Sequence, residues 1–290
     1  MGLRAKFNLA VIAAFLIGFA LAATGLKQLF DANARMQVVQ NARIMMSAAD
    51  AVRQYTDQQV APLLGVESGG KFMTASVPFF AAVSVFKGVQ KHFPDYTYHE
   101  PALNPTNPSD RATDWEADFI NSFRNNPNLH ELVGERDTPT GPSLSLARPI
   151  AVDSPDCLTC HSSPQRAPTA MLASYGSDHG FGWKLHEIVG AHVVSVPMAL
   201  PLAAARQTFI TFLAILVAMF VVILVILNVL LHYMVIRPVV HVARIANAVS
   251  LGDTDVEEYE KKGRDEIAVL SVAFNRMRRS LDSAMRMLER

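Results

Sequence analysis

The sequence is poor in cysteine and has no net charge. Its 290 residues hold two cysteines, Cys157 and Cys160, three positions apart. A disulfide framework is excluded, because a bridge closing so short a loop removes little chain entropy and staples nothing. The pair calls for a chemical explanation. Lys and Arg together number 26, and Asp and Glu also number 26. That balance excludes a broad electrostatic attraction to nucleic acid, so partners must be read from local motifs.

Charge is also missing from two long runs. Residues 7–26 (FNLAVIAAFLIGFALAATGL) carry none, and they match the roughly 20 residues a bilayer-crossing helix needs. Arg4 and Lys6 precede them. A cleaved signal peptide is the alternative, with Ala-Leu-Ala-Ala as its cleavage region, but the run exceeds the roughly 7–15 apolar residues of a signal core. Residues 208–236 are rich in Ile, Val and Leu and contain no Lys, Arg, Asp or Glu. Arg237, Arg244, Lys261, Lys262 and Arg264 follow. Positive residues mark the cytoplasmic side. Charge alone therefore predicts a two-pass protein of the bacterial inner membrane. Residues 1–6 are cytoplasmic, 7–30 form the first transmembrane helix, 31–206 lie in the periplasm, 207–236 form the second transmembrane helix and 237–290 are cytoplasmic.

The two cysteines belong to Cys157-Leu158-Thr159-Cys160-His161, the attachment signature of a c-type haem. Two thiols at this spacing meet the two vinyl groups on one edge of a porphyrin, and the adjacent histidine reaches the iron as proximal ligand. A thioredoxin-like redox pair is one alternative. It requires a helix starting at the first cysteine, whereas Asp153-Ser154-Pro155-Asp156 before the pair and Ser162-Ser163-Pro164 after it read as a loop. A zinc half-site is another, but zinc takes about four ligands and no further cysteine exists. Haem is attached outside the cytoplasmic membrane, where the charge bias places the motif. One haem c per chain is expected, bound through Cys157 and Cys160, with His161 on the iron. The distal position is open. Met45, Met46 and Met73 are candidates, Met171 and Met198 lie after the motif, and His92, His99, His130, His179, His186 and His192 are further side chains outside the membrane.

Residues 31–65 show helical recurrence and read as one long helix continuing from the membrane segment, ended by Pro62 and the Gly65 to Gly70 region. Residues 76–92 predict a second helix, with Ser76 as cap and Pro78 in the first turn. Tyr96 to His99 suit a short strand, and Asn104 to Pro108 a turn-dense loop. Asp114 to Arg124 predict an amphipathic helix with Trp115, Phe119 and Phe123 inward. Residues 143–151 and 192–196 predict strands, and Gly180-Phe181-Gly182-Trp183 a tight turn.

Several of these segments together resemble a known family. Ala102 to Pro108, Trp115-Glu116, Ala147 to Ile150, the Cys157 to His161 motif and Gly180 to Lys184 look like the bacterial PAS-like c-type haem sensor domains of the periplasm, over roughly residues 40 to 200. The resemblance implies an α+β fold, an antiparallel sheet flanked by helices with a long N-terminal helix, and haem held beside the sheet. In that family the distal ligand can be a cysteine of the N-terminal helix. This chain has no such cysteine, and by position the helix would bring something near Met45 to Tyr55 towards the iron. The family also points to Arg148 as a haem-propionate neighbour, with a salt bridge to a carboxylate as the alternative.

Residues 237–290 resemble a HAMP domain. Arg237-Pro238 opens a helix, Val242, Ile245 and Val249 recur at three and four residues, and Gly252-Asp253 breaks it. Asp265-Glu266-Ile267 opens a second helix whose seam is Ile267, Leu270, Phe274, Met277, Leu281 and Leu288. A generic coiled coil is the alternative. A HAMP module buries such seams as a parallel four-helix bundle of two chains, which implies a homodimer, packed also along the N-terminal helix. No kinase, cyclase or methyl-accepting segment follows, so the output is expected in a separate cytoplasmic protein. These features predict a signal transducer that detects redox state or a small diatomic gas, and not an enzyme. The other readings are a membrane-anchored mono-haem electron-transfer cytochrome and a peroxidase-type enzyme.

Overall fold

The computed structural model describes residues 2–64, 67–68, 71–253, 256–261 and 263–288. The elements run α1 (Leu3–Tyr55), a π-turn (Thr56–Val60), α2 (Ala61–Leu64), β1 (Glu67–Ser68), β2 (Lys71–Phe72), α3 (Pro78–Gln90), β3 (Thr97–His99), α4 (Asp114–Asn125), β4 (Leu132–Thr138), β5 (Gly141–Ala151), α5 (Cys157–His161), α6 (Thr169–Tyr175), β6 (Ile188–Pro197), α7 (Ala199–Leu231), a second π-turn (His232–Ile236), α8 (Arg237–Ser250) and α9 (Glu266–Leu288). The chain divides into two compact units, residues 26–209 and residues 1–25 with 210–290. The Gly65 and Gly70 stop signals and Lys262 fall outside the described residues.

The unit of residues 26–209 is built on a four-stranded antiparallel sheet in the order β3-β6-β5-β4. Successive side chains on a strand point to opposite faces, and β5 and β6 divide accordingly. Leu144, Leu146, Val194 and Val196 join Tyr98 on one face. There α1 lays down Val38, Ala42, Met46 and Ala49, one helical turn apart, and α3 adds Ala82 and Phe86. The alanines let the α1 backbone approach the sheet closely. On the other face Ala147, Ala191 and Val193 meet Ile120 and Phe123 of α4. Burying each of these two large side chains contributes about 1.5–3 kcal/mol.

The long helix passes through the π-turn and continues as α2 to Leu64, in line with the expected span of residues 31–65, and three other local expectations change. Proline lacks a backbone donor and its ring crowds the carbonyl four residues earlier, and the wider π-turn just before it shifts that register. Ser76 is not the cap of α3. Val77 occupies that position with extended backbone, while the Ser76 hydroxyl donates to the Met73 carbonyl at 2.8 Å. In α4 the inward stripe is Glu116, Ile120 and Phe123, with Trp115 and Phe119 half-buried at its edge. Strand β4 has no counterpart among the expected elements. Its Glu135-Arg136-Asp137 run is charged, and it forms an edge strand. Glu135 reaches Arg35 at 2.6 Å, and the Arg136 guanidinium lies 3.8 Å from the Trp115 ring centroid.

The other unit contains apolar stretches of α1 and α7. Both helices are long and apolar enough to cross a membrane. Phe15 stacks on Phe220 at 3.7 Å, Asn8 and Asn228 exchange amide hydrogen bonds at 3.1 and 2.9 Å, and Arg4 meets His232. Unpaired amides in hydrocarbon are costly, and the reciprocal Asn pair satisfies both. The helix expected to begin at Arg237-Pro238 instead runs on from α7 through the second π-turn. Val242, Ile245 and Ala268 form the buried contact of α8 with α9, next to buried Ser271 and Asn275. Of the expected α9 seam, Ile267 and Phe274 are half-buried, whereas Leu270, Met277 and Leu281 are exposed. The side chain of Leu288 is outside the described residues.

One contact beside the sheet sets a pH dependence. His99 Nδ1 lies 2.8 Å from Glu116 Oε1. This bond raises the His99 pKa, against the opposing effect of burial. Burial pushes the Glu116 carboxyl up, but bonds from His99 and Thr113 outweigh it and the net direction is down. The His99 contribution is complete below the ordinary histidine value of about 6.5 and is lost as pH rises through the raised value. The Glu116 contribution is present above its ordinary value and is lost as pH falls through the lowered one. Raising pH from about 6 to about 9 is expected to lower the thermal midpoint by about 2–4 °C, and His99→Gln to flatten that slope. Unfolding curves across this range check it.

Candidate functional site

The segment between β5 and β6 is closed at its neck. Val152 N donates to the Glu187 carbonyl at 3.0 Å, and His186 N to the Val152 carbonyl at 2.9 Å. Inside it, the Ser154 hydroxyl accepts from Asp156 N at 3.1 Å, and Cys157 N donates to the Ser154 carbonyl. This turn starts α5 at the first cysteine. The expectation of a loop through the motif is therefore wrong. Pro155 does not break the helix, because it sits before the first position, where a missing donor costs nothing. A helix at Cys157 also removes the loop argument against a redox pair.

Cys157 and Cys160 are both free and half-buried. Burial, with Cys157 beside it, pushes the Cys160 thiol up. Among the described residues no three His, Cys, Asp or Glu side chains gather to hold a metal ion.

His161 is held more tightly than any sequence signal suggests. Its Nδ1 lies 2.8 Å from the Gly180 carbonyl, with the Thr106 hydroxyl at 3.5 Å. A carbonyl only accepts, so Nδ1 carries the proton and the Nε2 lone pair is left for another partner. Trp183 stacks on the imidazole at 3.9 Å and 11°. Burial lowers the His161 pKa and so favours the neutral ring, and the Gly180 bond partly offsets this. Trp183 N and Gly182 N cover the carbonyls of His161 and Ser162 at 3.2 Å, satisfying acceptors that a helix end leaves open. Asn104 pins the loop from the other side, accepting from Gly180 N at 3.3 Å and donating to the Phe181 carbonyl at 3.4 Å.

The distal candidates scatter. Met46 is fully buried in the α1 face of the core and Met45 packs against it, in a cluster with no member from residues 157–183. Met198 is in the same cluster, and Met171 is buried on α6. Met73 is half-buried, and its neighbour Phe72 meets Tyr175 of α6 edge-on at 6.1 Å. The structure thus sets Met73 in the segment beside the helix that follows the motif. Arg148 pairs with Asp50 at 3.3 Å and with Glu131 at 3.1 Å, the salt-bridge alternative. Sequence reasoning gave no role to Asn104, Thr106, Gly180 or Trp183. The pairing of the two Asn-Pro dipeptides with a Gly-aromatic-Gly-aromatic run was the available signal. It also missed a buried polar group of Arg53, Tyr98, Glu100 and His192.

Gly180 is required twice over. Its φ is +82°, and an added Cβ would lie 2.8 Å from Thr106 N and 2.7 Å from Thr106 Cα. Gly182 shares the conformation at φ +81° with nothing within 4 Å. Gly180→Ala is expected to cost about 2–4 kcal/mol and Gly182→Ala about 1 kcal/mol, measured by denaturant unfolding. Equal effects of the two would refute a close-packed anchor for His161.

Two family models match the chain. The family model Tll0287-like (Tll0287) matches residues 31–197, and the HAMP domain model matches residues 230–283. A solved structure, the cyanobacterial haem protein Tll0287, aligns with 20% identity over 55% of this chain and 94% of its own, at a TM-score of 0.43. No curated protein matches the chain. The chain belongs to the Tll0287-like family, with its family domain at residues 31–197 followed by a HAMP domain at 230–283.

Proposed function

We propose that this protein is a membrane-bound haem-c signal transducer that detects redox state or a diatomic gas and relays it through HAMP to a separate cytoplasmic protein. The observation that carries the reading is His161, with Nδ1 tied to Gly180 and Nε2 left for a partner, beside two free thiols at attachment spacing. A metal-ligating imidazole is typically held in this way through its other nitrogen. The solved relative's description as a haem protein points the same way. When bound, haem supplies an iron that changes oxidation state and binds small ligands. Cys157 and Cys160 would hold the group through thioether bonds, and His161 Nε2 would bind its iron. No side chain is assigned a catalytic role.

For the distal position Met73 is the favoured methionine. Recruiting Met46 would empty a fully buried core position, at about 2–5 kcal/mol, and Met45 packs on the same cluster. The sheet with α1, α3 and α4 on its faces is read as PAS-like. The topology follows the flanking charges, with the domain in the periplasm and both termini in the cytoplasm. The exposed Leu270, Met277 and Leu281 of α9 are the surface a second chain covers in a homodimeric HAMP bundle. That module has no use in a tethered electron carrier, which weighs against the cytochrome alternative.

The signalling reading requires a two-state element that the iron biases. Inter-subunit distances between spin labels on α9 are expected to differ among oxidised, reduced and NO-bound protein, and no change in any state would remove the idea. The chemistry is tested separately. Cys157→Ser with Cys160→Ser is expected to abolish haem that survives denaturation on a gel. His161→Ala should keep covalent haem but change the ferric and ferrous optical spectra, and Met73→Ala should shift them while Met46→Ala mainly destabilises the fold.

A further inference from the structure

Within the unit of residues 26–209, α1 turns one stripe to the sheet and the opposite stripe away from it. Val38, Ala42, Met46 and Ala49 are buried against the sheet. Asn33, Met36, Gln40, Ile44, Ser47 and Ala51 recur at steps of three and four on the other side of the helix, and all six are exposed. Met36 and Ile44 are 62% and 58% exposed. None of the six is charged. The charges of this stretch are drawn towards the sheet instead. Between residues 29 and 55 they are Asp31, Arg35, Arg43, Asp50 and Arg53. Asp31 is half-buried. Arg35 pairs with Glu135 at 2.6 Å, Arg43 with Glu131 at 2.9 Å, Asp50 with Arg148 at 3.3 Å and Arg53 with Asp50 at 3.5 Å.

The outward face of a solvated helix is ordinarily where charged side chains gather. Here it carries uncharged polar residues seven apart, Asn33, Gln40 and Ser47, interleaved with apolar Met36, Ile44 and Ala51. That composition fits one partner, a second copy of the same stripe. In a parallel two-fold pair each residue near the axis meets its own twin. A charge there would face a like charge and repel it. Asparagine, glutamine and serine each carry a donor and an acceptor, so each can bond its own copy. Two chains that cross one membrane by α1, which is long and apolar enough to do so, run in the same direction, and their helices pair parallel.

We propose that this stripe is the seam on which α1 of a second copy docks, parallel and in register. A polar residue at a regular seam position lowers the stability of a helix pair but fixes its register. The seam ends at the π-turn from Thr56 to Val60, where the helical phase shifts. The proposal rests on the homodimer of the proposed function, which the HAMP domain at residues 230–283 supports, and does not rest on the haem.

Disulfide cross-linking of the full chain in membranes tests it, with each yield counted above that of the unaltered chain. Gln40→Cys and Ser47→Cys each place a thiol against its twin within disulfide reach, and both are expected to cross-link about tenfold faster than Asn41→Cys. Asn41 is equally exposed but lies about 100° further round the helix. Gln40→Glu, which sets a carboxylate against its own copy, should slow cross-linking at Ser47→Cys about tenfold, whereas Gln40→Leu should not. Equal rates at positions 40 and 41, or no effect of Gln40→Glu, overturn the seam. Met277→Cys on α9 reads HAMP pairing in the same membranes. Its cross-link without those at 40 and 47 overturns the seam and leaves the homodimer standing, and loss of all three cross-links removes both.

Discussion

The hydrogen bond from His161 Nδ1 to the Gly180 carbonyl governs the chemistry of the candidate site. It fixes one tautomer, and with it which nitrogen can bind a metal. The bond exists because three sequence-distant segments converge on five residues. Asn104 holds Gly180 from one side, the Thr106 hydroxyl faces the imidazole, Trp183 lies flat on the ring, and Ser162 ties the returning loop to the end of α5. Each of these could be lost without touching the Cys-x-x-Cys-His pattern, yet each would free the imidazole to rotate. An attachment motif specifies where the porphyrin is joined. The supporting shell specifies how rigidly the imidazole beside the two thiols is aimed.

The sheet serves two kinds of packing on one face. Towards one end α1 meets it through alanines, Val38 and Met46, contacts that are insensitive to pH or charge. Beyond Ala49 the same helix meets the same strands through Asp50 and Arg53. Apolar and polar contacts thus lie on consecutive turns of one helix.

Much of this organisation was legible in the sequence, and the failures have physical causes. The two apolar runs, the helix over 31–64 and the strands at 97–99, 143–151 and 192–196 follow from periodicity and composition. Strand β4 was not legible because its stability comes from pairing with β5 and from side-chain partners on both faces, Arg35 and Trp115, that only the fold supplies. The motif read as a loop because prolines flank it, although proline before a first turn favours a helix. Ser76 looked like a cap because its type is common at caps, yet its hydroxyl bonds back to Met73. His192 and Arg53 look like surface residues in the sequence, since nothing local reveals that a histidine in a Val-rich strand is faced by an arginine 139 positions away. The α9 seam was readable as a pattern, but half of it has no partner within one chain.

The two π-turns sharpen the mechanical argument. Each lies immediately before a helix whose second residue is proline, Pro62 in one case and Pro238 in the other. The coincidence has a cause. Proline inside a helix removes one donor and crowds a carbonyl, and a local widening of the backbone register relieves both without ending the helix. A regular helix resists any change in the rotation of one end against the other, because every hydrogen bond must adjust together. A π-turn concentrates that adjustment in five residues. One such turn follows the Arg53 contact on α1, and the other joins the apolar α7 to the first HAMP helix. Each long apolar helix therefore continues past its proline as a helix, which preserves reach, while keeping a short segment whose register is already displaced from the α geometry.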